Sequence, residues 1–224
     1  MDQVKKNINL EKDYWDKFYK DCAIDIPSQF CVSMATDNHN KKTVVEFGMG
    51  NGRDSLYLST QGHIVVAVDI SESAVLACNN TMQQKNIDHT TFLCGDISIK
   101  GTVANAISTA RQNCHKEFTE LIIYSRFVIH SLDQKQEDSF LTALSELIQS
   151  GDKVYFEFRS QQDFNTEKYY NNESHYRRYV DSEQFINNLR EKYTLNIEYS
   201  ITGKGMSKYK NEDPVVTRVI AVKP

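Results

Sequence analysis

The chain has 224 residues, 40% of them hydrophobic, which is enough to bury the core of one large α/β domain. A formal net charge of −4 leaves no dense basic stripe for duplex nucleic acid, so nucleic acid is not an expected partner. The five cysteines (Cys22, Cys31, Cys78, Cys94 and Cys114) lack C-x-x-C or metal-ligand spacing, and no apolar run reaches signal-peptide or membrane-span length; a metal-free cytoplasmic protein without disulfides is expected.

Leu10, Tyr14, Trp15, Phe18, Tyr19 and Cys22 recur at helical spacing and predict a first helix after Asn9. IPSQFCVSMATDNHNKK then reads as a short helix followed by a polar loop. From there the pattern is regular. TVVEF (43–47), HIVVAVDI (63–70), TTFLC (90–94), ELIIYS (120–125) and KVYFEF (153–158) are strand-length runs of β-branched and aromatic residues. Helical segments over 53–61, 72–86, 101–113 and 134–149 separate them, the alternation expected of a parallel sheet with right-handed crossovers and helices on both faces. After a helix over 182–192, TLNIEYSIT and VVTRVIAV have no helix between them and should pair as an antiparallel hairpin. Residues 160–180 fit neither periodicity and read as an insertion on the side of the sheet where ligands bind.

The densest signal is VVEFGMGNGRDS (44–55), where three glycines directly follow the first strand. Glycine clusters where the backbone must turn tightly or let something approach closely. A dinucleotide fingerprint needs G-x-G-x-x-G, but Gly48, Gly50 and Gly52 read G-x-G-x-G, with Arg53 where that pattern wants a small residue. Glu46, two residues before the first glycine, disfavours a pyrophosphate and favours a cation. The bland alternatives are that the glycines serve only a strand–helix turn, and that Asp69 and Asp96 are helix N-caps.

EFGMGNGRDS resembles the first motif of class I S-adenosylmethionine-dependent methyltransferases, D/E-x-G-x-G-x-G. The resemblance extends over most of residues 40–224. It implies the family's Rossmann-like, doubly wound seven-stranded sheet, mostly parallel with an antiparallel C-terminal strand, and S-adenosyl-L-methionine as cofactor. It also implies that Asp69 takes the ribose hydroxyls, that Ile70 packs on the adenine, and that Asp96 of the Gly-Asp-Ile run ending at Ile97 accepts from the adenine amino group. Ser125 ends the fourth strand beside the same site. DYWDKFY resembles the aromatic helix that lids the cofactor in small family members, bringing Tyr14 or Trp15 near the methionine carboxylate, although a core stripe explains the same residues. The division implied is one domain, with a helical lid over 1–40, a cofactor-binding core over 41–158, and an acceptor-side insertion and hairpin over 159–224.

Methyl transfer to a hydroxyl needs a base close to the methyl group. His130, in YSRFVIHSL after the fourth strand, has the right intrinsic basicity and is the expected general base, with a loop-supporting role as the alternative. The acceptor side is expected to hold Arg126, Arg159, His175, Tyr176, Arg177, Arg178, Lys208 and Tyr209. Arginines among aromatics suit an anionic small molecule such as a sugar carrying phosphate. Taken with these loops, the chain is similar to small bacterial methyltransferases of surface-glycan and capsule biosynthesis, and more generally to tellurite-resistance and thiopurine-type enzymes. The readings left open are O-methylation of a phosphorylated or nucleotide-linked sugar, methylation of a thiol, chalcogen oxyanion or amine, and a catalytically silent cofactor-binding partner subunit.

Overall fold

The computed structural model describes residues 8–20, 26–114, 119–164, 176–209 and 211–224; Cys22 and His175 lie outside them. The strands are β1 (Thr43–Phe47), β2 (Ile64–Asp69), β3 (Thr90–Cys94), β4 (Leu121–Arg126), β5 (Lys153–Arg159), β6 (Asn196–Gly203) and β7 (Val216–Val222). The helices are α1 (Ile8–Lys20), α2 (Gln29–Asp37), α3 (Arg53–Thr60), α4 (Glu72–Gln84), α5 (Lys100–Asn113), α6 (Gln134–Leu147) and α7 (Ser182–Glu191). Each expected element is present within a few residues of its expected ends, the scatter normal for helix and strand boundaries.

The strands form one sheet in the order β3-β2-β1-β4-β5-β7-β6, with β7 antiparallel to both of its neighbours. Alternation along the strands feeds two cores. Val45, Phe47, Leu121 and Ile123 face α5 and α6, where the rings of Phe47 and Phe140 meet edge to face with centroids 5.1 Å apart. Val44, Ile122 and Tyr124 face the other way, toward Phe30 and Met34 of α2 and Leu58 of α3. Helix starts are set by their own side chains: Ser28, Ser71 and Asp181 cap α2, α4 and α7, and Asp133 with Gln136 closes a capping box on α6.

The register decides where function can gather. β1 to β5 are parallel, so their carboxyl ends share one edge of the sheet. Because Arg159 at the end of β5 pairs with Val216 at the start of β7, the loop joining β6 to β7 returns to that same edge. The described part of the 160–180 segment lies there too. It forms a 3-10 turn over Gln161–Asp163 and an extended stretch ending at Val180, which bridges Ser160.

Candidate active site

A cavity of about 300 Å³ opens along this edge. At one end the chain leaves β1 through Gly48, Gly50 and Gly52, all left-handed with φ of +79°, +58° and +72°. A Cβ on them would sit 2.0 Å from Val128 Cγ2, 2.7 Å from Tyr19 Oη and 2.5 Å from Cys78 Sγ. The glycines are therefore required by close approach as well as by φ. Gly48 N–H and Met49 N–H donate to Val68 O at 2.8 and 3.1 Å, and Gly50 N–H donates to Asp69 Oδ2 at 2.8 Å.

Asp69 Oδ1 accepts the Ser71 N–H at 2.9 Å, and the Ile70 N–H also acts on the carboxylate of this cavity residue. Burial pushes its pKa up, against the pull of these backbone donors. Ile70, Asp96 and Ile97 also line the cavity; Asp96 Oδ1 accepts the Ser98 N–H at 2.8 Å, so this aspartate both caps a turn and faces the cavity. Glu46 is buried, with Ser55 Oγ donating to its Oε2. Burial, and then the neighbouring Asp54 carboxylate, raise its pKa well above the ordinary value.

Asp54 went unnoticed in the sequence although it lies inside the glycine motif. It ties three elements together: Oδ1 accepts Ser28 N–H at 2.7 Å, and Oδ2 accepts Ser28 Oγ at 2.7 Å and Tyr124 Oη at 2.9 Å. Its only sequence signal is an acid in the first turn of α3. Tyr14 and Trp15 of α1 line the cavity together with Phe18 and Tyr19. The helix is moored to the start of α4, where Asp16 accepts from Ser71 Oγ at 2.6 Å and Ser73 N–H at 3.1 Å. Ser125 is away from the cavity wall: buried, it donates to Phe47 O at 3.0 Å and braces β4 against β1.

At the other end stands the loop after β4. Phe127 has φ +60°, a strained conformation for a bulky residue, and is held there by its N–H on Glu157 O at 2.7 Å. The Arg126 guanidinium carbon lies 4.1 Å from the centroid of the Phe127 ring. His130, in a 3-10 turn, is buried and lines the cavity. Its Nδ1 accepts the Arg159 N–H at 3.1 Å, and its carbonyl accepts the Arg178 N–H at 2.7 Å. A neutral imidazole that accepts at Nδ1 carries its hydrogen on Nε2. The expected general-base role would need Nε2 to carry no hydrogen, whereas the Arg159 N–H on Nδ1 favours the tautomer that carries one there.

The expected phosphate-binding arginines are largely committed to carboxylates. Arg126 donates to Glu157 at 2.8 Å and to Ser207 Oγ at 2.6 Å, and Arg218 holds the other oxygen of Glu157 at 2.7 Å. Arg159 donates to Asp163 at 2.6 Å and to Glu212. Arg178 is engaged by Gln134 and Glu137. Arg126, Arg159, Arg177 and Tyr209 line the cavity, whereas Tyr176 and Arg178 do not, and Lys208 is exposed away from it. Phe127, Ser207 and Glu212 line it without having been singled out in the sequence.

Residues 44–151 match a family described as a methyltransferase domain. That segment, just under half of the chain, resembles a methyltransferase domain. A S-adenosylmethionine-dependent methyltransferase from Anabaena variabilis superposes on this chain with a TM-score of 0.69, over 100% of this chain and 99% of that one, at 15% identity. The glycopeptide N-methyltransferase MtfA in complex with sinefungin gives a TM-score of 0.63 over 92% and 90% of the two chains, also at 15% identity. Likeness at these identities is likeness of fold. Sinefungin, the molecule bound there, is an analogue of S-adenosylmethionine. The mRNA-capping enzyme catalytic subunit of fowlpox virus is 27% identical over 130 residues, which is 57% of this chain but 15% of the viral protein. No helix among the described residues is long and apolar enough to cross a membrane.

Proposed function

We propose that the protein methylates a small polar acceptor at a nucleophile that already carries an available lone pair, a nitrogen or a sulfur. The observation that carries this reading is the Nδ1 contact of His130 with the Arg159 N–H, which leaves a donor where a hydroxyl acceptor would need a base. Glu212, the carboxylate on the wall at that end, is engaged by Arg159. A heteroaromatic nitrogen needs no proton removed before attack, and an ammonium or thiol gives up its proton to water far more readily than an alcohol does, so positioning is the chief demand on the site.

Residues at the ends of β1, β2 and β3 fit the cofactor. The left-handed glycines turn the chain past the end of β1 beside the cavity, the Asp69 carboxylate on its wall suits paired hydroxyls, and the buried Glu46 suits a cationic group. When bound, S-adenosylmethionine supplies an electrophilic methyl group. In this reading the segment 1–40 closes over the cofactor, 41–158 holds it, and 159–224 meets the acceptor, with His130 on the wall beside it.

A phosphorylated or nucleotide-linked sugar of surface-glycan synthesis is the second reading. Arg177 and Tyr209 on the wall favour it, while the commitment of Arg126, Arg159 and Arg178 to carboxylates weakens it. A glycopeptide N-methyltransferase shares this fold and by its name acts on a nitrogen, which supports the first reading. The test is a transfer assay with labelled cofactor across amines, N-heterocycles, thiols, nucleotide sugars and capped guanosine nucleotides. Turnover should fall in the nitrogen or sulfur set, and His130→Ala should raise KM without removing a rate step between about pH 6 and 7. Turnover confined to nucleotide sugars, with a His130-dependent rise through that range, would reverse the assignment.

A further inference from the structure

Of the carboxylates at the acceptor end, only Glu212 combines a place on the cavity wall with an oxygen that no described residue engages. Its Oε1 takes Arg159 Nη2, whereas no described residue donates to Oε2. Asp163, which shares Arg159 with it, is used differently: Oδ2 holds Arg159 at 2.6 Å, Oδ1 accepts the Val215 N–H at 2.8 Å, and the residue is not on the wall. Glu157 is enclosed by Arg126, Arg218 and Ser207. Glu212 is also rigidly set. Its backbone pairs both ways with Tyr209, N–H to O at 2.9 Å and O to N–H at 3.0 Å, and Arg159 fixes its carboxylate from the end of β5. Only 6% of the residue is exposed.

We propose that Glu212 selects the acceptor by receiving a cationic nitrogen or an N–H of the incoming molecule on Oε2. A carboxylate oxygen offers lone pairs only, so the ligand must bring the hydrogen. In a nearly enclosed position a carboxylate gains most from a charged donor, because charge-assisted bonds are the stronger ones and a poorly matched buried charge is costly. Phe127, on the same cavity wall at its strained φ of +60° with Arg126 over its ring, adds apolar surface beside the carbon skeleton of such a molecule. The substrate class is then a small molecule with an apolar or aromatic body that carries an ammonium or N–H group for Glu212 and, apart from it, the nitrogen lone pair that takes the methyl group. This deepens the nitrogen reading of the preceding section and rests on it for the identity of the nucleophile, but the binding role stands by itself.

The test is binding, measured on the full chain saturated with S-adenosylhomocysteine, of benzylamine and benzyl alcohol, two probes of one shape that differ in charge at the donor. The wild type should prefer benzylammonium by about 10- to 100-fold, the usual range for one charge-assisted hydrogen bond, and Glu212→Gln should erase the preference. Because Gln costs the Arg159 ion pair, its fold is checked by thermal unfolding. Glu212→Asp, which keeps the charge but withdraws it by one methylene, should reduce the preference without erasing it. Absence of a preference in the wild type, or its survival in Glu212→Gln, overturns the proposal. Should the preference follow Glu212 while the transfer screen finds only oxygen acceptors, the nucleophile assignment fails and the selector role remains.

Discussion

The two ends of the cavity are built by different means. At the glycine-loop end the shape is set by backbone bonds: left-handed glycines, N–H groups of the loop on the Val68 carbonyl, and the N–H groups that fix Asp69 and Asp96 at strand ends. At the acceptor end the wall is side chains locked by ion pairs across the molecule, Arg126 and Arg218 on Glu157, and Arg159 between Asp163 and Glu212. A backbone wall fixes one shape from local sequence. A wall of ion pairs can be changed residue by residue while the sheet beneath it stays, which suits the end where the acceptor binds.

The largest effect that would break this comparison is at Glu157. Fully buried and engaged by two guanidinium groups, it should leave both arginines uncompensated when replaced, so Glu157→Ala should cost about 3 to 5 kcal/mol in urea unfolding. In whatever fraction stays folded, cofactor affinity should be nearly unchanged. A loss below about 1 kcal/mol would mean that the acceptor wall is not held by its ion pairs.

The complementary experiment is Asp69→Ala. Two charge-assisted bonds to the cofactor and the brace on Gly50 N–H disappear together, and calorimetry should show binding weakened by about 2 to 4 kcal/mol. An unchanged dissociation constant would remove Asp69 from the cofactor site and leave it a loop brace only.

The same contrast explains what the sequence made legible. Strand and helix periodicities, and glycines at alternate positions after β1, are local signals, and they place the sheet and the cofactor end. His130 was legible as a position but not as a chemistry, since its tautomer depends on the Arg159 N–H, which belongs to a different strand. Lys208 and Arg178 looked like anion binders because composition reports charge but not partners; one points to solvent and the other meets Glu137. Ser125 looked like a site residue because it ends β4, but its side of the strand faces β1. Glu212 carried no local signal at all: its role comes from the antiparallel pairing that returns its loop beside β5.

The smallest expected effect is a pH dependence, and it tests whether the backbone-built end also responds to charge. Glu46 is buried beside Asp54, and its one hydrogen-bond donor among the described residues is Ser55, so burial and the second carboxylate hold its pKa above the ordinary value. For the free protein the sign follows from linkage: a group whose folded pKa is raised contributes stability at low pH, which is lost as pH climbs from the unfolded value through the folded one. A cation placed beside it favours the carboxylate, so binding of S-adenosylmethionine must release a proton wherever Glu46 is protonated in the free protein. Affinity should therefore rise as pH increases above the ordinary carboxylate range, by no more than about tenfold per pH unit, or 1.4 kcal/mol, because one proton is involved. Calorimetry in two buffers of different ionisation enthalpy measures the proton release directly, and Glu46→Gln should abolish it while leaving the affinity flat with pH. Release that persists in Glu46→Gln would assign the proton to Asp69, whose burial raises its pKa in the same direction.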